Sequence, residues 1–201
     1  MKVWVDHMTQ NLRLIHSKQT EFQGITYRSR TEARWAAFFS TLNLDFRYEP
    51  TLMSLSNGER YLPDFFIKEF EAWFEVKPEN EDIVLAEASK ARQFCSDNPN
   101  VRLWLAMGPP NREDENIILL NEWGAETSLE KILDAAENRY RILEDRRDEE
   151  IYWLASSYVT GDWSRCQVIG GPGTISQHER LPGLHPRVLE AYSFADGVKF
   201  D

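Results

Sequence analysis

Cysteine is nearly missing from this chain. Cys95 and Cys166 are the two in 201 residues. They lie far apart with no paired spacing, which argues against a disulfide scaffold or a zinc ribbon and fits a reducing compartment. Long apolar runs are missing as well, so no segment is built to span a bilayer. The start, Met1-Lys2-Val3-Trp4-Val5-Asp6, lacks the apolar core of a signal peptide. The expectation is an intracellular protein with no membrane partner. Internal repeats are absent, and His178 and His185 fall in a loop-rich tail without ligand spacing, which makes them surface residues.

Positive charge is also short. The net charge of −10 is the wrong sign for a polyanion binder. The deficit is uneven, however: residues 1–110 hold 13 Lys and Arg against 15 Asp and Glu, and the remainder holds 10 against 18. Arg28, Arg30 and Arg34, with Arg47 further on, make a local basic cluster in the balanced half, and local potential rather than total charge steers a polyanion.

With 42% hydrophobic residues the chain can bury one real core. Val3–Val5 reads as a short strand. Ser29-Arg30-Thr31-Glu32 matches a capping box opening a helix from about Arg30 to Leu42, whose core face is Trp35, Phe38, Phe39 and Leu42. Leu44 to Met53 reads as a strand with its flanks, Asn57-Gly58 as a turn, and Tyr61 to Ile67 as the returning strand, with Pro63 at its start or edge. Lys68-Glu69-Phe70-Glu71 turns the chain into a strand at Trp73–Lys77. Ile83–Phe94 reads as a helix and Val101–Met107 as a strand, an order that implies a parallel pair. Ile117–Leu120 adds a short strand. A long charged helix is expected from Thr127 or Ser128 to about Arg147, with a continuation to Tyr158 left open. From Thr160 the glycines and prolines predict loops, closed by a helix at Pro186–Ala195 with Pro186 in its first turn.

The chemistry concentrates in Tyr61-Leu62-Pro63-Asp64 and Trp73-Phe74-Glu75-Val76-Lys77. Strand alternation sends Glu75 and Lys77 to one face and Phe74 and Val76 to the other. An acid and an amine on a mostly buried strand cost stability unless paired or used. The hairpin is too apolar to be a surface ion pair, because Phe65, Phe66, Trp73, Phe74 and Val76 surround these charges. Asp64 and Glu75 would supply carboxylates to a hard divalent ion, the Val76 carbonyl a further oxygen, and Lys77 would hold or deprotonate water beside it. Glu32 leans toward the core stripe of its helix, either as the capping-box acid or as a third acid reaching the site. Lys90 lies within the apolar stripe of its own helix, where a snorkelling lysine is the rival explanation. Arg28, Arg30 and Arg34 are candidate phosphate contacts, against a solvated helix start. Tyr27, Trp35 and Tyr48 are assigned to the core.

Ser29-Arg30-Thr31-Glu32-Ala33-Arg34-Trp35, Tyr48-Glu49-Pro50, Leu62-Pro63-Asp64-Phe65 and Trp73-Phe74-Glu75-Val76-Lys77, in this order, resemble the PD-(D/E)xK nuclease superfamily. The similarity is greatest to its small phage and bacterial members with a first-helix Glu, and covers roughly residues 27–107. It implies an α/β, restriction-endonuclease-like fold: a central mixed sheet flanked by helices over residues 1–158, then a helical and loop-rich extension over 159–201. It also implies a Mg²⁺-dependent DNA endonuclease, with Mn²⁺ able to substitute, in the cytoplasm of a bacterial or phage-infected cell. Asp64 and Glu75 would be the metal ligands with Val76, Lys77 the catalytic lysine and Glu32 the first-helix acid, a role that tolerates its capping contact. Lys90 or Gln93 would be the basic or amide residue of the following helix. The DNA, whether linear, branched or single-stranded, would be met without a separate base-reading module. Low sequence specificity follows, or targeting through a homodimer or a partner protein. The competing expectation is a catalytically idle nuclease-fold protein that engages another factor, for example a phage protein engaging a host factor.

Overall fold

The computed structural model describes residues 18–69, 71–80, 84, 88–112, 117–120, 141–145, 150–155, 165–172 and 186–200, by backbone alone at Leu119, Pro186, 141–145, 150–155 and 165–172. The expected strand at Val3–Val5, His178 and His185 lie outside these residues. Among the described residues the chain is mixed α/β, with a mixed sheet of five strands at its centre and three helices. A hairpin comes first, β1 (Thr20–Phe22) and β2 (Ile25–Tyr27). Gln23 and Gly24 turn it with positive φ at both positions, 51° and 77°, the two-residue loop whose twist matches that of paired strands.

Helix α1 (Arg30–Thr41) follows. Ser29 caps it in extended backbone, accepting the Glu32 N–H at 3.1 Å. At the other end Asn43 takes a left-handed conformation (φ 57°); its N–H reaches the Ser40 carbonyl and that of Leu44 the Phe39 carbonyl, a Schellman closure. The predicted face of Trp35, Phe38, Phe39 and Leu42 is buried, and so are Ala33, Ala36 and Ala37. The buried arc is wide because α1 is covered twice, by the sheet and by α3 (Pro186–Gly197), whose Tyr192 ring centroid lies 4.7 Å from that of Phe38.

The central sheet runs in the order β3 (Phe46–Tyr48), β6 (Phe65–Ile67), β7 (Ala72–Lys77), β8 (Arg102–Met107), β9 (Ile117–Leu119). β7 and β8 are parallel, Glu75 opposite Leu105, and the other neighbours are antiparallel. Helix α2 (Ser89–Asp97) lies between β7 and β8 in the chain, as the order of elements required. Of the expected helix at Ile83–Phe94, Val84 is helical, 83 and 85–87 lie outside the described residues, and the described helix runs on to Asp97. Cys95 on α2 is a free thiol that burial pushes up to about 12.

Four expectations need correction. The single strand at Tyr61–Ile67 is two. β5 (Arg60–Tyr61) pairs with β4 (Met53–Ser54) in a separate ribbon around Gly58 (φ 84°), and β6 begins at Phe65, because Leu62-Pro63-Asp64 breaks the ladder. The segment Leu44–Met53 holds a three-residue strand, β3, which ends where Glu49 turns left-handed (φ 43°). The charged helix expected to about Arg147, with a continuation to Tyr158 left open, gives way to β10 (Arg141–Asp145) and β11 (Glu150–Ala155); residues 121–140 and 146–149 lie outside the described set. Ile151-Tyr152-Trp153 is β-branched and aromatic, a composition that favours an extended chain over a helical stripe. β12 (Arg165–Pro172), in the stretch read as loops, pairs with β11 and with β9, so β12, β11 and β10 continue the sheet beyond β9.

The sheet has a core on each side. Against α1 and α3 lie Trp35, Phe38, Phe39, Phe65, Phe74, Val76, Val188 and Tyr192; against α2 and the β4–β5 ribbon lie Tyr61, Phe94, Leu103, Leu105, Met107 and Ile118, with Trp73 packed on them. Each fully buried large side chain is worth about 1.5–3 kcal/mol in area terms, and the first core has many. No helix among the described residues is long and apolar enough to cross a membrane.

Candidate active site

The register of β6 on β7 builds the site. Phe65 faces Phe74, so the next residues outward are Asp64 and Glu75, on the same side of the hairpin. There the two strands part. The Val76 N–H bonds the Asp64 carboxylate instead, at 2.7 Å to Oδ2, and the Asp64 carbonyl accepts the Glu49 N–H at 2.7 Å. Asp64 is 2% exposed and Glu75 5%, so both carboxylates are held away from bulk water.

Glu75 has a partner on each oxygen. The Lys77 ammonium is 3.0 Å from Oε1 and the Tyr61 hydroxyl donates to Oε2 at 2.9 Å. Alternation therefore puts Glu75 and Lys77 together, as the strand pattern required. The Tyr61 hydroxyl ionises well above its usual range, chiefly through burial and then through the negative charge of Glu75, so it acts as a neutral donor. Asp64 is pushed well above the usual carboxylate range, first by burial and then by Glu75 and Glu32; the Val76 N–H and Arg28 pull the other way without cancelling this. Three acids thus share one field.

Glu32 reaches this field from the first turn of α1, and its oxygens are committed. Oε1 accepts the Ser29 hydroxyl at 2.8 Å; Oε2 accepts the Tyr48 hydroxyl at 2.6 Å and the Arg28 N–H at 3.1 Å. The capping box is shifted by one residue, since the acid bonds the peptide before the cap rather than that of Ser29. Glu32 caps the helix and places its charge near Asp64, and both its oxygens are hydrogen-bonded, as each oxygen of Asp64 and Glu75 has a partner. Among the described residues no three of His, Cys, Asp and Glu stand in a metal-holding group. Asp64 and Glu75 form a two-carboxylate pair, which suits a hard ion that takes one or two carboxylates and fills its shell with water and phosphate oxygens.

The basic residues separate. Arg28 turns inward: its Nη2 bonds Asp64 Oδ1, and its Nε is 2.6 Å from Glu49 Oε1. Burial works against its charge, but Asp64, Tyr48, Glu49 and Glu32 outweigh that and keep it cationic. Arg34 lies 3.5 Å from Asp196 on α3, Arg30 is exposed at the helix start, and Arg47 is exposed on β3. Lys90 is exposed, with its amine 3.4 Å from the Arg60 carbonyl and 3.6 Å from Glu59, contacts with the β4–β5 ribbon rather than with the acids. Gln93 bonds Ser56 and Asp97.

Sequence reasoning missed Tyr61, Tyr48 and Glu49 as partners of the site. Tyr27 and Trp35 are core, as expected, and the Trp35 indole also donates to the Gly108 carbonyl at 2.9 Å. Tyr48 packs on the core through its ring but spends its hydroxyl on Glu32. The one signal for these residues was their nearness to Pro50 and Pro63-Asp64, since their bonds bridge 14 to 21 positions. No family model, curated protein or solved structure matches the chain.

Proposed function

We propose that this protein is a divalent-metal-dependent endonuclease hydrolysing DNA phosphodiester bonds on a restriction-endonuclease-like core. The supporting observation is the meeting of Asp64 and Glu75 where β6 and β7 part, with the Lys77 ammonium 3.0 Å from Glu75. Asp64, Glu75 and the Val76 carbonyl would hold Mg²⁺ or Mn²⁺. Bound there, the ion polarises the phosphoryl oxygen and eases the ionisation of water.

The chain's own residues do the rest. Lys77 positions the attacking water and offsets charge growing on the phosphoryl oxygens, a role that gains strength because its side chain is 16% exposed. Tyr61 fixes the orientation of Glu75 through a buried hydrogen bond. Glu32 adds negative charge that raises the demand for a cation at Asp64. A cleavage assay on linear, nicked, branched and single-stranded DNA with Mg²⁺, Mn²⁺ and chelator tests this. Cleavage should need metal and vanish in Asp64→Asn, Glu75→Gln and Lys77→Met while circular dichroism stays unchanged. Normal cutting by all three variants would end the proposal.

The second reading, an idle nuclease-fold binding protein, draws on one observation: Arg28 already balances Asp64. Such a protein should show no Mg²⁺- or Mn²⁺-dependent rise in melting temperature.

A further inference from the structure

Arg28 stands out because its two halves are held so differently. Its peptide N–H is fixed, donating to Glu32 Oε2 at 3.1 Å and to the Tyr48 hydroxyl at 3.0 Å. Its side chain is 52% exposed and ends between two acids. One of these, Glu49, is itself firmly placed: its left-handed backbone (φ 43°) is uncommon for a residue with a side chain, and its N–H is tied to the Asp64 carbonyl. The other is Asp64 Oδ1. Asp64 Oδ2 is taken by the Val76 N–H, so the oxygen open to a ligand is the one Arg28 holds.

A dication on Asp64 Oδ1 would sit within a few ångströms of a guanidinium that bonds the same oxygen, and like charges at that range repel strongly in a site screened from water. The fixed peptide leaves Arg28 a pivot, the exposed side chain leaves it room, and Glu49 leaves it a second anchor. We propose, resting on the nuclease reading, that Arg28 is an exchangeable counter-cation. It occupies Asp64 in the unloaded protein, yields that oxygen to the divalent ion, and swings, still tethered at Glu49, to contact a phosphate of the incoming DNA. The arrangement makes DNA binding and metal loading mutually supportive. It also keeps the acid pair charge-balanced when the ion is gone.

The test uses the full-length chain and Mn²⁺ as the probe, with free Mn²⁺ followed by electron paramagnetic resonance and no DNA present. Wild type, Arg28→Met, Arg28→Lys and Asp64→Asn are compared; each Arg28 variant keeps the peptide N–H that bonds Glu32, so the helix start is preserved. Removing a competitor worth one charge-assisted hydrogen bond should tighten Mn²⁺ binding on the order of tenfold in Arg28→Met. Arg28→Lys, which cannot bridge both acids, should fall between that and wild type. In a Lys77→Met background, Mn²⁺-loaded Arg28→Met should then bind a short duplex more weakly, with its salt slope reduced by about one.

If Asp64→Asn abolishes Mn²⁺ binding while Arg28→Met binds no more tightly than wild type, the exchange is wrong and the nuclease reading stands. Wild type that binds no Mn²⁺ overturns both. An unchanged salt slope in tighter-binding Arg28→Met overturns the transfer to phosphate.

Discussion

The two faces of β7 carry opposite loads. Phe74 and Val76 project into a core of rings and aliphatic chains closed by α1 and α3, with the ring centroids of Trp35 and Phe39 at 4.7 and 5.2 Å from that of Phe74. Trp73, Glu75 and Lys77 project the other way, where Tyr61, Phe94 and Leu105 surround a buried carboxylate, an ammonium and a phenol. One strand thus separates residues that hold the fold from residues that leave it under electrostatic load. Asp64 and Glu75 are each one residue away from a buried ring, Phe65 and Phe74, which ties both carboxylates to the first core.

Substitutions on the two faces should fail differently. The largest effect belongs to the charged face. Lys77→Met or Glu75→Gln should lower metal-dependent cleavage by on the order of 10³–10⁴-fold, yet move the urea midpoint little. A large loss of stability in either variant would make the charged face structural. On the apolar face, Phe74→Ala should cost about 3–5 kcal/mol of stability, read from urea titration, and any loss of cleavage should track the unfolded fraction.

A smaller effect tests where the faces join. Gly108 ends β8 with φ 79°; its N–H donates to the Lys77 carbonyl at 2.8 Å and its carbonyl accepts the Trp35 indole N–H. An added Cβ would lie 3.2 Å from Glu79 Cβ. Gly108→Ala should cost about 1–2 kcal/mol through its left-handed backbone and lower cleavage in folded protein, because the strain falls on the Lys77 peptide. Unaltered cleavage at full folding would uncouple the two faces.

The smallest effect lies at the rim of the second face. Asp97 accepts the Ser56 hydroxyl at 2.6 Å, the Ser56 N–H at 2.8 Å and Gln93 at 2.8 Å, and these bonds, the Ser56 hydroxyl first, hold its carboxyl below the usual range. A depressed pKa in the fold stabilises above the unfolded value, about 3.9, and that contribution disappears as pH falls through the lower folded value. The stability difference between wild type and Asp97→Asn should therefore be constant from pH 7 to 5 and shrink below about pH 4; a difference that grows there would reverse the assignment.

Much of this was legible in local pattern. The capping box and the Trp35, Phe38, Phe39 stripe located α1, and the alternation in Trp73–Lys77 paired Glu75 with Lys77. The strand–helix–strand order gave the parallel pair β7–β8. What could not be read were contacts that chain distance hides. Tyr61 finds Glu75 across the break at Pro63, and Tyr48 finds Glu32 from a strand at the far side of the hairpin. Arg28 looked like part of a basic helix start, but the fold sets it 36 residues along the chain against a buried acid. The charged helix was expected to reach about Arg147 because acidic and basic residues suit a solvated face, whereas the β-branched and aromatic run at Ile151–Trp153 favours strands once partners are available to pair.

Among the described residues the sheet ends at β3, three residues long, with exposed Arg47 at its middle position. A strand so short offers a neighbouring chain only a few free peptide groups, and a charge in its centre makes such docking costlier still. At this edge the protein is protected against ladder-to-ladder stacking, the common first step toward fibres. Any copy-to-copy recognition here would have to proceed through side chains, where it can be reversible.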